Sequence, residues 1–162
     1  MIKKILLGLM AIFTFASSDV SGYYGSYTPI FMDRAELEKS VSYKAEGRPL
    51  ETPGKIYCKE HYIFINELYK GVHVINNTDA THPVNEGYIV APGCVDIAVK
   101  NNVIYLDNSV DLVAFDLTTK QVTHRERNVF PEPCAPDNSF SYYYSSRPTQ
   151  DAVIVGWKKT QK

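Results

Sequence analysis

The chain has no excess of either charge, few sulfur ligands and almost no tryptophan. Lys and Arg number 17 against 18 Asp and Glu, for a formal net charge of -1. Neutralising nucleic-acid phosphates takes a basic surplus gathered on one face, and no such run occurs, so nucleic acid is not an expected partner. The three cysteines, Cys58, Cys94 and Cys134, are odd in number and lack CxxC or zinc-ligand spacing. At least one must stay free or pair outside the chain, and Cys58 and Cys94 read as small apolar strand residues of the buried kind. The one Trp stands against 12 Tyr and 7 Phe, an aromatic balance that suits half-buried strand faces and contact surfaces alike. At 162 residues, 44% of them hydrophobic, the chain can build one domain with a core and leaves no room for two.

What is present begins with an export signature. Lys3 and Lys4 precede the apolar run Ile5 to Ala16, then the small residues Ala16, Ser17 and Ser18, which is the order of a secretory signal peptide over residues 1–18. The run is short for a membrane span, and no transmembrane span is expected in the mature chain. No cysteine precedes Cys58, which argues against a lipid anchor unless Ser17 or Ser18 stands in place of a lipid-bearing cysteine. The expected location is the periplasm or the cell surface.

Residues 19–53 read as a leader. Asp19 to Pro29 is rich in Ser, Gly and Tyr and is expected to have little order. Asp33 with Glu36 three places later is a helix-start signature and predicts a short helix from Arg34 to Val41. Lys44 to Pro53, with two prolines and a glycine, reads as an extended connector.

The stretch 54–133 reads as one β-rich unit written twice. The first copy predicts strands near Ile56–Lys59, Tyr62–Asn66, Gly71–Asn76 and Asn85–Val90. The second predicts them near Val95–Val99, Val103–Asp107, Leu112–Asp116 and Gln121–Asn128. Short β-branched and aromatic bursts closed by Asn, Asp or Gly are how strands and tight turns look, and a spacing of about 40 residues suits a four-stranded propeller blade. Residues 134–162 hold a Ser, Tyr and Pro loop, a last strand near Ala152–Trp157 and a polar tail.

No cofactor or metal site is expected. Asp96, Asp107, Asp111 and Asp116 recur without the spacing of a calcium loop and read as strand-ending and turn-capping residues. The histidines His61, His73, His82 and His124 share no zinc spacing, and no motif flanks a Cys–His pair. The candidate contact surface is Tyr142, Tyr143 and Tyr144, with Tyr23, Tyr24 and Tyr27 near the other end, since aromatic rings on loops stack on sugars and anchor proteins.

Several segments in one order resemble a known family: Asp33–Val41, Pro53–Tyr57, Tyr62–Glu67, Lys70–Asn76, Pro92–Lys100 and Asp111–Asp116. Together they are similar to the LVIVD-repeat β-propeller proteins exported by Bacteroidetes, over roughly Tyr27 to Trp157. The resemblance implies a propeller fold and export, often with a lipid anchor; it implies no established activity and supplies no catalytic residues. Members of the family are longer, with further repeats, and this chain looks like their amino-terminal part.

The expected fold is thus mainly β: two propeller-type four-stranded blades, a partial β-propeller, with a short amino-terminal helix. Two blades do not close a ring of about four to eight. Copies of the chain are therefore expected to complete the blades, or the helix and tail to seal the edges. The expected function is a non-catalytic interaction or scaffold protein of the cell envelope, its partner being itself, an envelope protein or a glycan. The alternatives are an envelope hydrolase with an active site in a propeller funnel and a truncated propeller fragment with no activity of its own.

Overall fold

The computed structural model describes residues 26–138 and 147–160, and over them the chain is mainly β. The apolar bursts form two antiparallel meanders. The first runs through β3 (Pro53–Lys59), β4 (Tyr62–Glu67), β5 (Gly71–Asn76) and β6 (Val84–Val90). The second runs through β7 (Ile97–Lys100), β8 (Val103–Asn108), β9 (Asp111–Asp116) and β10 (Gln121–Glu126). In both, each strand hydrogen-bonds the next in the chain. The first hairpin of each turns through a residue of positive φ at matching positions, Glu60 at 55° and Asn101 at 54°; Asn tolerates that conformation, Glu less so.

Two further strands were not foreseen. β2 (Ser42–Lys44) joins the edge of β6, making the first sheet five-stranded in the order β2-β6-β5-β4-β3. β1 (Tyr27–Met32) pairs with β11 (Val153–Lys159) as a separate two-stranded ribbon. Among the described residues no sheet closes on itself. The start of β1 falls in the leader expected to have little order; its partner lies at the other end of the chain, beyond the reach of local propensity.

The expected helix over Arg34–Val41 is a single turn, α1 (Arg34–Leu37). Asp33 makes no side-chain capping bond; its carboxylate accepts from the Thr149 hydroxyl instead. The Ser40 hydroxyl donates to the Leu37 carbonyl across 2.7 Å, a local bond that competes with continuation of the helix.

The main core lies between the two meanders. Phe64, Val72, Val74 and Ile89 of the first meet Ile97, Val99, Ile104, Leu106, Val113 and Phe115 of the second. Alternate residues of each strand supply one face, and full burial of a side chain of this size is worth about 1.5–3 kcal/mol. Along the edges that face each other, β3 and β7 run in the same direction. Lys55 pairs with Asp96, the Tyr57 hydroxyl donates to the Val99 carbonyl across 2.9 Å, and the Lys59 ammonium donates to the Asn101 carbonyl.

A smaller core joins Leu37, Val110, Val153 and Val155, with Met32 against it. It fixes α1 and the ribbon to the β8–β9 turn. There the Ser109 hydroxyl donates to the Ile154 carbonyl across 2.6 Å.

Candidate functional site

Polar residues are buried at the β4–β5 and β8–β9 ends of both meanders, and they hold the chain segments that deliver each first strand. Glu67, at the end of β4, accepts from the Thr52 amide at 2.8 Å, the Thr52 hydroxyl at 2.9 Å and the Glu51 amide at 3.3 Å. Asp107, near the end of β8, accepts from the Val95 and Asp96 amides, both at 2.9 Å. In each meander a carboxylate therefore ties down the two residues that precede or open the approach to β3 or β7. The two are not at matching positions: Asn66 is the counterpart of Asp107, and the longer Glu67 side chain does the same work from one residue further on.

The electrostatics of the two carboxylates differ. Burial pushes the Glu67 carboxyl up, but hydrogen bonds from His73, Thr52 and Glu51 outweigh it and lower it to about 2. For Asp107 burial is the larger effect and the carboxyl lies above its ordinary value despite the two amides.

His73 Nε2 lies 2.8 Å from Glu67 Oε2, and both side chains are fully buried. The Asn85 amide nitrogen sits 3.1 Å from His73 Nδ1 and also donates to the Arg48 carbonyl at 2.9 Å. Asn85 donates to Nδ1, so Nδ1 accepts, and the proton on Nε2 goes to Glu67; the neutral ring satisfies both contacts. The edge of the ring meets Tyr88 with centroids 4.9 Å apart, and the Arg48 guanidinium covers the Tyr88 ring at 4.9 Å. This chain of contacts pins the connector between β2 and β3 across the first meander. Histidine and carboxylate are used to hold main chain.

The remaining acidic residues also serve structure. Asp111 is fully buried between Arg34 at 2.8 Å and Arg125 at 2.7 Å, and it accepts from the Asn128 amide at 3.1 Å. Asp116 accepts from the Thr118 and Thr119 amides, which lowers its carboxyl. Among the described residues no three His, Cys, Asp or Glu side chains are grouped to hold a metal ion.

All three cysteines are free. Cys94 is buried, but in the connector before β7; the Asn66 amide donates to its sulfur at 3.2 Å, and burial pushes its thiol well up. Cys58 is exposed, contrary to the buried place expected of it. It lies on an edge strand, on the face turned away from the core.

Concave surface is found elsewhere. A groove of about 450 Å³ runs along the outer face of the second meander, between Ala98, Tyr105 and Leu112 on the sheet and the strap Phe130–Cys134 standing over it. Tyr105 is 36% exposed and Phe130 38%. The strap is anchored by Glu132, which accepts from Arg147 at 2.8 Å and from the Ile154 amide at 3.0 Å, and by the Pro133 carbonyl, which accepts from the Trp157 indole at 3.0 Å. Sequence reasoning missed this groove. The one signal for it was the pair of prolines, Pro131 and Pro133, which keep the strap extended and off the sheet.

The anticipated contact residues Tyr142, Tyr143 and Tyr144 lie outside the described residues, as do Tyr23 and Tyr24. Tyr27 opens β1. His61, His82 and His124 are exposed and far from His73 in role: His82 bonds Asp79 within its own turn at 3.1 Å. Among the described residues no helix is long and apolar enough to cross a membrane. Set against known protein families, curated proteins and solved structures, the chain matches none of them.

Proposed function

We propose that the chain is a non-catalytic interaction module of the exported β-propeller-repeat kind, working at the cell envelope. The observation that carries this reading is the apolar groove of about 450 Å³ on the second meander, where Tyr105 and Phe130 stay open to solvent. Exposed aromatic rings beside a concave apolar wall are a contact surface for protein or sugar. Tyr142, Tyr143 and Tyr144 follow the strap closely in the chain and are proposed as part of that surface. Support for the repeat class comes from β3 and β7, which contact each other at sequence separations of 41 and 42 residues, as two copies of one unit set around an axis do.

The buried His73, Glu67 and Cys94 argue for binding over chemistry, since each is used to hold main chain or is shut away from solvent. The test is binding of the purified protein to isolated cell-envelope fragments and, separately, to their purified polysaccharide. Saturable binding that weakens at least tenfold in Tyr105→Ala, or in the triple variant Tyr142→Ala, Tyr143→Ala and Tyr144→Ala, with an unchanged melting curve, is the expected result. Cleavage of the envelope material by the protein, or binding indifferent to all four tyrosines, would overturn the proposal.

A further inference from the structure

The two meanders meet through unlike faces, and the repeat determines what each carries on its other side. Successive strand residues point to opposite faces. On the first meander Tyr57, Phe64 and Val72 face the core, leaving Ile56, Ile63, Ile65 and Ile75 on the open side. On the second, Ile97, Ile104, Leu106 and Phe115 face the core, leaving Ala98, Tyr105 and Leu112 on the open side.

The strand registers put these sets in correspondence. Lys59 pairs with Tyr62 as Lys100 pairs with Val103, and Tyr62 with Asn76 as Val103 with Asp116. Ile56, Ile63, Ile65 and Ile75 are therefore the counterparts of Ile97, Ile104, Leu106 and Phe115. Likewise Ala98, Tyr105 and Leu112 are the counterparts of Tyr57, Phe64 and Val72. The first meander shows solvent the counterpart of the face that the second one buries, and the second does the converse. Exposure follows this rule on the side toward β3 and β7, where Ile56 is 62% exposed against 8% for Ile97 and Tyr105 36% against 2% for Phe64, while His73 and Ala114, further across the two open faces, are buried.

We propose that a second copy of this chain docks here, the open face of its first meander lying on the open face of its neighbour's second meander, so that the internal interface is repeated between molecules. Three observations favour a second copy over an unrelated partner. Both halves of the contact are present on one chain and stand at the positions that already fit each other within it. The open halves also coincide. Arg48 and its connector cover the first meander near β6 and leave Ile56 open on β3, and on the second Ala98 is open on β7 with Tyr105 beside it on β8, so open area is present at corresponding places beside β3 and β7. Finally, the second face is hollow under its strap, and the first offers the protruding aliphatic side chains Ile56, Ile63 and Ile65 to fill it.

Because the two faces differ, the contact is head-to-tail, and a discrete assembly forms where its rotation closes a ring. Closed radial arrays use about four to eight four-stranded sheets, which corresponds to about two to four copies. The inference rests on the two meanders being repeats of one unit, and the second copy competes with the proposed envelope partner for the same groove.

The test is sedimentation velocity with light scattering on the purified chain over about a hundredfold range of concentration. A discrete species of about two to four times 18.3 kDa is expected. Ile65→Asp and, separately, Tyr105→Asp should each give monomer with an unchanged circular-dichroism spectrum. Mixing the two variants should restore a one-to-one pair, because each retains the face that the other has lost. Should either variant unfold, Ile56→Lys and Ala98→Glu, at exposed positions on the same two faces, replace them with the same mixing readout. A monomer at every concentration, an oligomer indifferent to both substitutions, or variants that fail to pair on mixing would overturn the inference. Envelope binding by such a monomer would leave the proposed function standing.

Discussion

The hydroxyl of Tyr57 on β3 donates to the main-chain carbonyl of Val99 on β7 across 2.9 Å, joining the two meanders at the edges where they lie side by side. Lys55 with Asp96 and Lys59 with the Asn101 carbonyl flank it on either side. The flanking contacts are exposed and worth little each, whereas the Tyr57 bond is partly buried beside the core.

Tyr57→Phe keeps the ring and removes the bond. Such a bond contributes about 1 kcal/mol net. Chemical denaturation should show a loss of about 1 kcal/mol with no change in cooperativity. A variant as stable as the parent would mean that the two meanders are held by their apolar faces alone.

Removing Asp111 should cost far more. Its buried carboxylate neutralises Arg34 and Arg125, which come from α1 and β10, and it anchors the turn at Asn128. Asp111→Ala leaves two largely buried guanidinium groups facing each other, and breaking a buried pair in this way costs about 3 kcal/mol. The measurement is the unfolding free energy of Asp111→Ala against the triple variant Arg34→Met, Arg125→Met and Asp111→Leu, an apolar replacement of the whole cluster. The single variant should be the less stable of the two, since it alone strands a buried charge.

Glu67 sets the sign of one part of the acid response. Its carboxyl is at about 2 in the folded chain against an ordinary 4.5. A carboxyl held below its unfolded value contributes stability that is complete above the unfolded value and is lost as pH falls through the folded one. That contribution should therefore fade between pH 4.5 and about 2. Asp107, held above its ordinary 3.8 by burial, acts in the opposite sense and relieves strain as it protonates. Glu67→Gln should cost about 2 kcal/mol at pH 7 through its lost charged hydrogen bonds, and the difference from the parent should close as pH is lowered toward 2. A difference that stays constant with pH would show that shape, and not charge, matters at this position.

The strands were legible because β-branched bursts such as Val103–Leu106 are bounded by residues that turn the chain. Other features depended on contacts no local pattern carries. β1 pairs with β11 across more than a hundred residues; the Thr28 and Thr160 hydroxyls that meet there are 132 apart in sequence. The parity of β3 was also hidden, since Ile56 and Tyr57 are both apolar and either could face the core. That ambiguity is why Cys58 reads as buried in the sequence and is exposed in the fold. Glu67 looks like any acidic residue at a strand end, and its role appears only when Thr52 is brought against it. The order of four antiparallel strands in each meander, by contrast, was legible, and the strand registers are what make the outer faces comparable.

The three thiols test the parity of β3 and the depth of the connector in one experiment. Cys58 and Cys134 are exposed, while Cys94 is buried with its sulfur bonded by Asn66 and its thiol pushed up by burial. The thiolate is the reactive form, so a group that is both shut from solvent and hard to ionise reacts only when the chain opens. In native buffer, with the monomeric Tyr105→Asp variant so that no second copy covers the face carrying Cys58, a thiol reagent in excess should modify two cysteines quickly and the third at the rate of unfolding. Mass mapping should place the slow site at Cys94, and denaturant should make all three react together. Were Cys58 slow as well, β3 would present its other face to solvent. Ile56 would then lie inward, and the assignment of Ile56, Ile63 and Ile65 to an open surface would fail with it.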